Sequence, residues 1–187
     1  VYNGAHSGGD VAFFNHYEPM DMHWESVSAM NLDLAVVALG ANDISHLSTE
    51  QFLTGIDGII ERVDPGIPIL LLGGYLRGDY NTEAGRLKWA AMQEGLRERA
   101  VGQVAYFDIA PHWPVLVPDG STSEGLMYDT PPIHPNDAGM DRMADVLTTA
   151  LLVDAPPVAH RRAVRLSRGA TVTRKHASAC SPMWLVH

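Results

Sequence analysis

The sequence predicts a three-layer α/β domain, in which helices cover both faces of a parallel sheet. Three short apolar runs are separated by helical patterns, and none of the runs alternates between apolar and polar residues. Strands buried on both faces have this continuous apolar composition. Alternating strands and helices predict parallel strands with right-handed crossovers. The 187 residues suffice for one such domain with a sizeable core.

The apolar runs give the strands of this sheet. They are residues 34–39, 67–72 and 104–107. The opening Val1-Tyr2-Asn3-Gly4 is typical of a strand that ends in a turn. Because the chain begins within such an element, we expect a domain that is truncated at its N-terminus.

A helical pattern follows the first run. Ser48 and Gln51 have the spacing of a capping box, and Pro65-Gly66 is a stop signal. The apolar residues between them recur at intervals of three and four, as one face of a helix requires. They are Phe52, Ile56, Ile59, Ile60 and Val63.

Two more helical patterns follow the later runs. One spans roughly residues 82–100, with Trp89, Met92 and Leu96 on one stripe. The other begins at Asn136, a residue type favoured at the N-cap, and ends before Pro156-Pro157. Its predicted apolar face consists of Met140, Met143, Ala144, Leu147 and Leu151.

Charge divides the chain into two regions. The formal net charge is −9; residues 1–160 contain all 22 acidic residues, and residues 161–187 contain six of the 13 Lys and Arg. Helical periodicity also stops near this boundary. We therefore predict one domain over residues 1–154 and a basic, disordered tail over residues 155–187. The acidic domain argues against nucleic acid as the main partner, because phosphate binding needs a basic surface.

Two further features limit the possible classes of protein. No run of about 18 apolar residues occurs, so no membrane-spanning helix is predicted. The single cysteine, Cys180, can form neither an internal disulfide nor a multi-thiolate zinc site.

Polar residues cluster in three turns of the predicted fold. Residues 3–10 follow the opening strand, Gly40-Ala41-Asn42-Asp43 follows the next strand, and residues 129–136 precede the last helix. Ligands of parallel α/β proteins bind outside the carboxyl ends of the strands, where such turns lie. These three turns are therefore the candidates for a functional site.

The three turns resemble, in order, three of the four sequence blocks of the SGNH (GDSL-type) hydrolases. The resemblance covers about residues 1–153 and is nearest to the lysophospholipase, thioesterase and acetyl-esterase-like branch. It implies a flavodoxin-like sheet and a serine ester hydrolase that needs no cofactor or metal. The implied substrate is a small ester, such as an acyl lipid, a thioester or an acetylated sugar.

The resemblance assigns roles to three residues. Gly8 would supply a backbone N–H to the oxyanion hole, Asn42 a side-chain amide, and His134 the general base. Physical chemistry agrees, because ester cleavage needs donors that face the developing oxyanion. A histidine also has the near-neutral pKa that suits accepting a proton from the nucleophile and passing it to the leaving group.

The sequence departs from the family pattern at the nucleophile. The family nucleophile is the serine of a Gly-Asp-Ser block that precedes the other blocks, and these 187 residues contain no Gly-Asp-Ser. We therefore expect a missing segment upstream of Val1 to carry the nucleophile and the first strand of the sheet, and the chain without that segment to be inactive. Loss of that strand would leave an exposed sheet edge. Ser7 is expected to be a turn hydroxyl.

A second departure concerns the acid of the catalytic triad. The family places an aspartate three residues before the histidine, where Pro131 stands here. The nearest acid is Asp129, which we predict to orient His134. A backbone carbonyl is the alternative.

Other interpretations stay open at this point. Asp43 is expected to cap the next turn, and Asp137 to stabilise a helix N-terminus. A non-catalytic module of the same fold, binding carbohydrate or lipid, would also explain the absent serine. A binuclear metallohydrolase would use the Gly40–Asp43 turn together with some of the histidines, namely His6, His16, His23 and His46.

Overall fold

A mixed five-stranded sheet with helices on both faces forms the centre of the molecule. The computed structural model describes residues 2–3, 8–16, 32–113, 125–127, 133–153 and 184–186. Its strands are β1 (Tyr2–Asn3), β2 (Leu34–Val37), β3 (Ile69–Gly73), β4 (Val104–Asp108) and β5 (Trp184–Val186). Their order in the sheet is β1-β5-β2-β3-β4.

The three predicted strands are confirmed, with slightly different bounds. β2 pairs with β3 and β3 with β4, in both cases in parallel, so their carboxyl ends lie at one edge of the sheet. In register, Ala35 lies opposite Ile69, and Ile69 opposite Val104. This parallel arrangement positions the turns after β2 and β3 side by side.

Four helices are described around this sheet. They are α1 (Val11–His16), α2 (Thr49–Arg62), α3 (Glu83–Glu98) and α4 (Asp137–Val153). The predicted capping box is present, because Gln51 N donates to Ser48 Oγ at 3.1 Å and Ser48 N donates to Gln51 Oε1 at 2.8 Å. The predicted N-cap of α4 is also confirmed by a 3.0 Å bond from Gly139 N to Asn136 Oδ1.

Two apolar cores lie on opposite faces of the sheet, as the predicted three-layer fold requires. Alternate residues along β2 and β3 enter different cores. One core packs α1, α2 and α3 against Ala35, Val37, Ile69 and Leu71. The other packs α4 against Val36, Leu70 and Leu72.

The predicted apolar face of α4 is partly wrong. Met143, Leu147 and Leu151 pack against the sheet as expected, but Met140 is 42% exposed and Ala144 is also exposed. Val146 is buried instead. The buried stripe is therefore rotated from the predicted one, because the neighbours of α4 and not its own composition decide which side it buries.

The pairing of β5 contradicts the predicted tail at three residues. Trp184–Val186 was assigned to a tail outside the fold, but it pairs antiparallel with both β1 and β2. The boundary at residue 154 and the state of residues 154–183 lie outside the described residues and stay predictions. Within the described part of the chain, no helix is both long and apolar enough to cross a membrane.

The close packing of α1 against α2 leaves no room for a side chain at Gly55. A Cβ at Gly55 would lie 2.5 Å from Val11 Cβ, which no packed pair tolerates. Overpacking costs about 1–3 kcal/mol, which outweighs the helix propensity of alanine. We therefore expect Gly55→Ala to lower the free energy of unfolding in urea, whereas Gly66→Ala leaves it unchanged or slightly higher, since a Cβ at Gly66 contacts nothing. Equal stability of the two variants would contradict this explanation.

Candidate active site

The loop after β1 and the turn after β2 meet at one edge of the sheet. Asn42 Nδ2 donates to the carbonyl oxygen of Gly9 at 3.0 Å. This hydrogen bond joins residues that are 33 positions apart in sequence. The structure thus brings together two of the predicted blocks, the one with Gly8 and the one with Asn42.

Gly8 has a backbone that favours glycine. Its φ is 73°, in the left-handed region that other residues rarely adopt. A Cβ here would contact nothing within 4 Å, so the requirement for glycine is conformational and not steric. The residue is exposed.

Asn42 lies in the turn that follows β2. It is the N-cap of a short 3₁₀ turn, but its side chain makes no hydrogen bond to that turn. One amide N–H is used by Gly9 O. Because a side-chain amide carries two N–H groups, the second can donate to a substrate while the first fixes the side chain.

The expectation that Asp43 caps the next turn is wrong. The Asp43 side chain is completely buried, and its two oxygens accept hydrogen bonds from residues earlier in the chain. Val11 N donates to Oδ1 at 2.8 Å, and Gly40 N donates to Oδ2 at 2.9 Å. The carboxylate therefore bridges the start of α1 and the turn after β2.

Burial raises the pKa of Asp43 above its ordinary value of 3.8. Hydrogen bonds from the backbones of Val11, Asp43 and Gly40 oppose this rise, whereas the charge of nearby Asp10 adds to it. A folded-state pKa above the unfolded one means that the folded state binds the proton more tightly. This contribution to stability is fully present below pH 3.8 and is lost as the pH rises through the folded-state pKa. We therefore expect the free energy of unfolding in urea to fall for wild type, relative to Asp43→Asn, as the pH rises through this window. Parallel pH profiles of the two proteins would contradict it.

A second, exposed connection joins the same two loops. His46 Nε2 lies 2.7 Å from Asp10 Oδ2, and His46 Nδ1 lies 2.9 Å from Ser45 Oγ. Asp10 Oδ1 also accepts from Phe13 N at 2.6 Å and so caps α1. Exposed pairs of this kind contribute about 0–1 kcal/mol, so this connection is secondary to the buried one.

The loop after β3 contacts the Gly40–Asp43 turn from its other side. Arg77 Nη1 donates to Ala41 O at 3.0 Å, while the same guanidinium pairs with Asp79 at 2.6 Å. On α3, Lys88 Nζ donates to Ile44 O at 2.8 Å. The turn with Asn42 is therefore fixed by hydrogen bonds from several elements.

His134 lies just before α4, in a segment that is fixed at both ends. Tyr75 OH donates to Ile133 O at 2.9 Å, immediately before the histidine. On the other side, Asn136 Nδ2 donates to Gly125 O at 2.6 Å, and Asn136 N donates to Leu126 O at 2.9 Å. Since Tyr75 follows β3 and Asn42 follows β2, His134 is anchored at the sheet edge that also carries Asn42.

Tyr75 is a site residue that sequence reasoning missed. Its ring stacks on Trp113, with the centroids 4.8 Å apart and an interplanar angle of 15°. The available signal was its position directly after Gly73-Gly74 at the carboxyl end of a predicted strand. None of the three polar turns identified in the sequence follows this strand.

Removal of the Tyr75 hydrogen bond is expected to lower kcat in a form of the protein that hydrolyses esters. A neutral hydrogen bond contributes about 0.5–1.5 kcal/mol, so Tyr75→Phe should lower kcat roughly two- to tenfold by loosening the segment of His134. The matched control is Tyr80→Phe, which removes a hydroxyl with no hydrogen bond among the described residues. Steady-state ester hydrolysis by both variants measures this, and an equal kcat for the two would contradict the role of Tyr75.

Several predictions from the sequence concern residues at the margin of this site. Asp129 and Ser7 lie outside the described residues, so the triad acid and the turn hydroxyl stay predictions. Asp137 is the first residue of α4, as expected for a carboxylate at a helix N-terminus. For the metal alternative, the described ranges contain no group of three or more His, Cys, Asp or Glu side chains that could hold an ion.

Comparison with known proteins agrees with this geometry. The profile of the GDSL-like Lipase/Acylhydrolase family matches residues 1–142, which is most of the chain and includes all three blocks. The chain belongs to this family. Membership makes it an ester hydrolase domain in general terms and confirms the resemblance seen in the sequence.

Solved structures add support for the fold. Eight chains match, among them a carbohydrate esterase family 3 protein from Talaromyces cellulolyticus. Its TM-score is 0.59 at 14% sequence identity, over 79% of this chain and 68% of that one. This neighbour confirms the three-layer α/β/α fold of the GDSL-like family. No match was found among curated proteins.

Proposed function

We propose that this chain is the main part of a serine ester hydrolase that cleaves carboxylic esters through an acyl-enzyme. Gly8 and Asn42 form the oxyanion hole, His134 is the general base, Asp129 orients it, and the nucleophilic serine lies upstream of Val1. The observation that carries the proposal is the hydrogen bond from Asn42 Nδ2 to Gly9 O. It joins the loop of Gly8 to the turn of Asn42 at the carboxyl edge of the sheet.

The reaction follows from these positions. The serine Oγ attacks the ester carbonyl carbon, and His134 accepts the hydroxyl proton. Gly8 N–H and the second N–H of Asn42 stabilise the negative oxygen of the tetrahedral intermediate. The bond to the alcohol then breaks, and the alcohol takes the proton from His134. Water attacks the acyl-enzyme in the same way, and the serine recovers its proton as the acid leaves.

An upstream nucleophile needs a strand that ends between the two proposed oxyanion donors. One strand position separates β1 from β2, and β5 fills it in the antiparallel direction. A parallel strand in that position would end between the Gly8 loop and the Asn42 turn. A serine at its end would lie beside both oxyanion donors, provided that β5 leaves the position.

The substrate class is the finer part of the proposal. One structural neighbour of the chain is described as a carbohydrate esterase, which makes acetylated sugars the first substrates to test. Thioesters and acyl lipids are the other members of the proposed class. Hydrolysis rates for acetylated sugars and for p-nitrophenyl esters of increasing acyl length distinguish among them.

The test uses the protein encoded by the reading frame extended upstream of Val1, called here the extended protein. We expect a Gly-Asp-Ser roughly 20–60 residues before Val1, about one strand and helix unit. The extended protein should hydrolyse p-nitrophenyl acetate, lose activity to a serine-directed fluorophosphonate and be insensitive to chelators. Loss of activity on chelation would instead favour the metallohydrolase, and an extended protein without hydrolysis would favour the non-catalytic binding module.

A further inference from the structure

Asp43 is a buried carboxylate that the proposed reaction does not use. It joins two backbone N–H groups that belong to different loops, those of Val11 and Gly40. Val11 is three residues after Gly8, and Gly40 is two residues before Asn42. One side chain therefore sets the distance between the two segments that carry the proposed oxyanion donors.

The surroundings of Asp43 make a purely stabilising role a poor explanation. Leu39, four residues earlier, and Ile44, the next residue, belong to the apolar core, and burial raises the pKa of the Asp43 carboxyl. Transfer of a carboxylate into such a site is unfavourable unless strong hydrogen bonds offset it. A carboxylate has two oxygens that can each accept a charge-assisted bond, and here both do so. An amide or a hydroxyl has only one acceptor oxygen, so it cannot place a separate acceptor against each of the two N–H groups.

We propose that Asp43 is a positioning residue, whose two carboxylate oxygens hold the Gly8–Asp10 loop against the Gly40–Asn42 turn so that Gly8 N–H and the Asn42 amide converge. This inference rests on the proposed function. The exposed Asp10–His46 pair joins the same loops but lies in solvent, where it fixes geometry weakly. Positioning by Asp43 acts on the transition state and not on substrate affinity, since the oxyanion forms only during the reaction.

The kinetic test compares two conservative variants of the extended protein. Asp43→Asn keeps the shape but leaves one acceptor oxygen, and we expect kcat for p-nitrophenyl acetate to fall about 10- to 10²-fold with KM little changed. Asp57→Asn is the matched control. Asp57 also accepts two hydrogen bonds, both from Arg99, between α2 and the end of α3. Asp57→Asn should lower the free energy of unfolding without lowering kcat.

A double-mutant cycle separates positioning from general destabilisation. If Asp43 acts through Asn42, then Asp43→Asn costs less in kcat when Asn42 is already alanine than in the parent protein. A purely structural role gives equal costs in both backgrounds. Equal costs would overturn the proposal.

A spectroscopic measurement tests the same point without reference to activity. In uniformly ¹⁵N-labelled protein, the side-chain amide proton of Asn42 that bonds Gly9 O should resonate away from the value of a solvent-exposed asparagine amide. In Asp43→Asn this proton should shift towards the solvent value, whereas it stays in place in Asp57→Asn. If Asp43→Asn does not fold, titration of the parent replaces it, and the amide protons of Gly40, Val11 and Asn42 should move with one midpoint.

The outcomes distinguish this inference from the proposed function. Shifted Asn42 resonances in an extended protein without esterase activity would overturn the proposed function and leave the positioning by Asp43 in place. A folded Asp43→Asn with unchanged Asn42 resonances, or with wild-type kcat in an active protein, would overturn the positioning. A titration in which the three amides move with different midpoints would also overturn it.

Discussion

Replacing Asn42 by alanine is expected to lower kcat of the extended protein about 10²- to 10³-fold, the usual cost of losing one oxyanion donor. The effect should be large because the Asn42 side chain is held in place before substrate binds. Its bond to Gly9 O and the contact of Arg77 with Ala41 O fix the turn. A donor that is already oriented needs no reorganisation as charge develops on the substrate oxygen.

The measurement is steady-state hydrolysis of p-nitrophenyl acetate with matched asparagine variants. Asn81→Ala is the control, since Asn81 lies in the loop before α3 and accepts only exposed contacts from Arg86 in the described structure. We expect Asn42→Ala to lower kcat far more than Asn81→Ala, with both proteins folded. Comparable kcat values for the two variants would remove Asn42 from the oxyanion hole.

Replacing His134 by alanine is expected to lower kcat about 10²- to 10⁴-fold, because general acid–base catalysis contributes that much. Without the imidazole, the serine proton has no nearby acceptor, and the alcohol leaves without a donated proton. The anchors on both sides of His134, Tyr75 and Asn136, keep the backbone of this segment in place when the side chain is removed. The loss should therefore fall on chemistry and not on folding.

The control for His134 is His112→Ala. His112 follows β4, is exposed and stacks on the ring of Phe107 at 5.7 Å. It shares the residue type and the sheet edge but has no role in the proposed reaction. Equal rates for wild type and His134→Ala would contradict the assignment of the base, whatever the result for His112→Ala.

The sequence predicted the elements whose formation depends on local pattern. β2 and β3 are buried between the helical layers, so their apolar composition alone identified them, and the half-buried β4 at the end of the described sheet kept a short apolar run. The capping box at Ser48 and Gln51 and the N-cap at Asn136 depend on residues three positions apart, and the structure confirms both. Motif order then indicated the family without any contact information.

The features that sequence reasoning missed depend on residues far apart in the chain. β5 pairs Leu185 with Ala35, a partner that no local pattern indicates. Asp43 was interpreted as a cap for the following turn, because aspartate is a residue type favoured at caps. One of its actual partners, Val11, lies 32 residues earlier. Tyr75 likewise contacts Ile133 across 58 residues, through the meeting of a strand end with the segment before α4.

The central claim is that these loops complete the active site of a serine ester hydrolase. It is tested most directly by mass spectrometry of the extended protein, quenched during turnover of p-nitrophenyl acetate. We predict one acetyl group on a serine upstream of Val1, and no such adduct when that serine is replaced by alanine. Rapid hydrolysis with no acetylated serine at any time, or acetylation of a serine within residues 1–187, would contradict the claim.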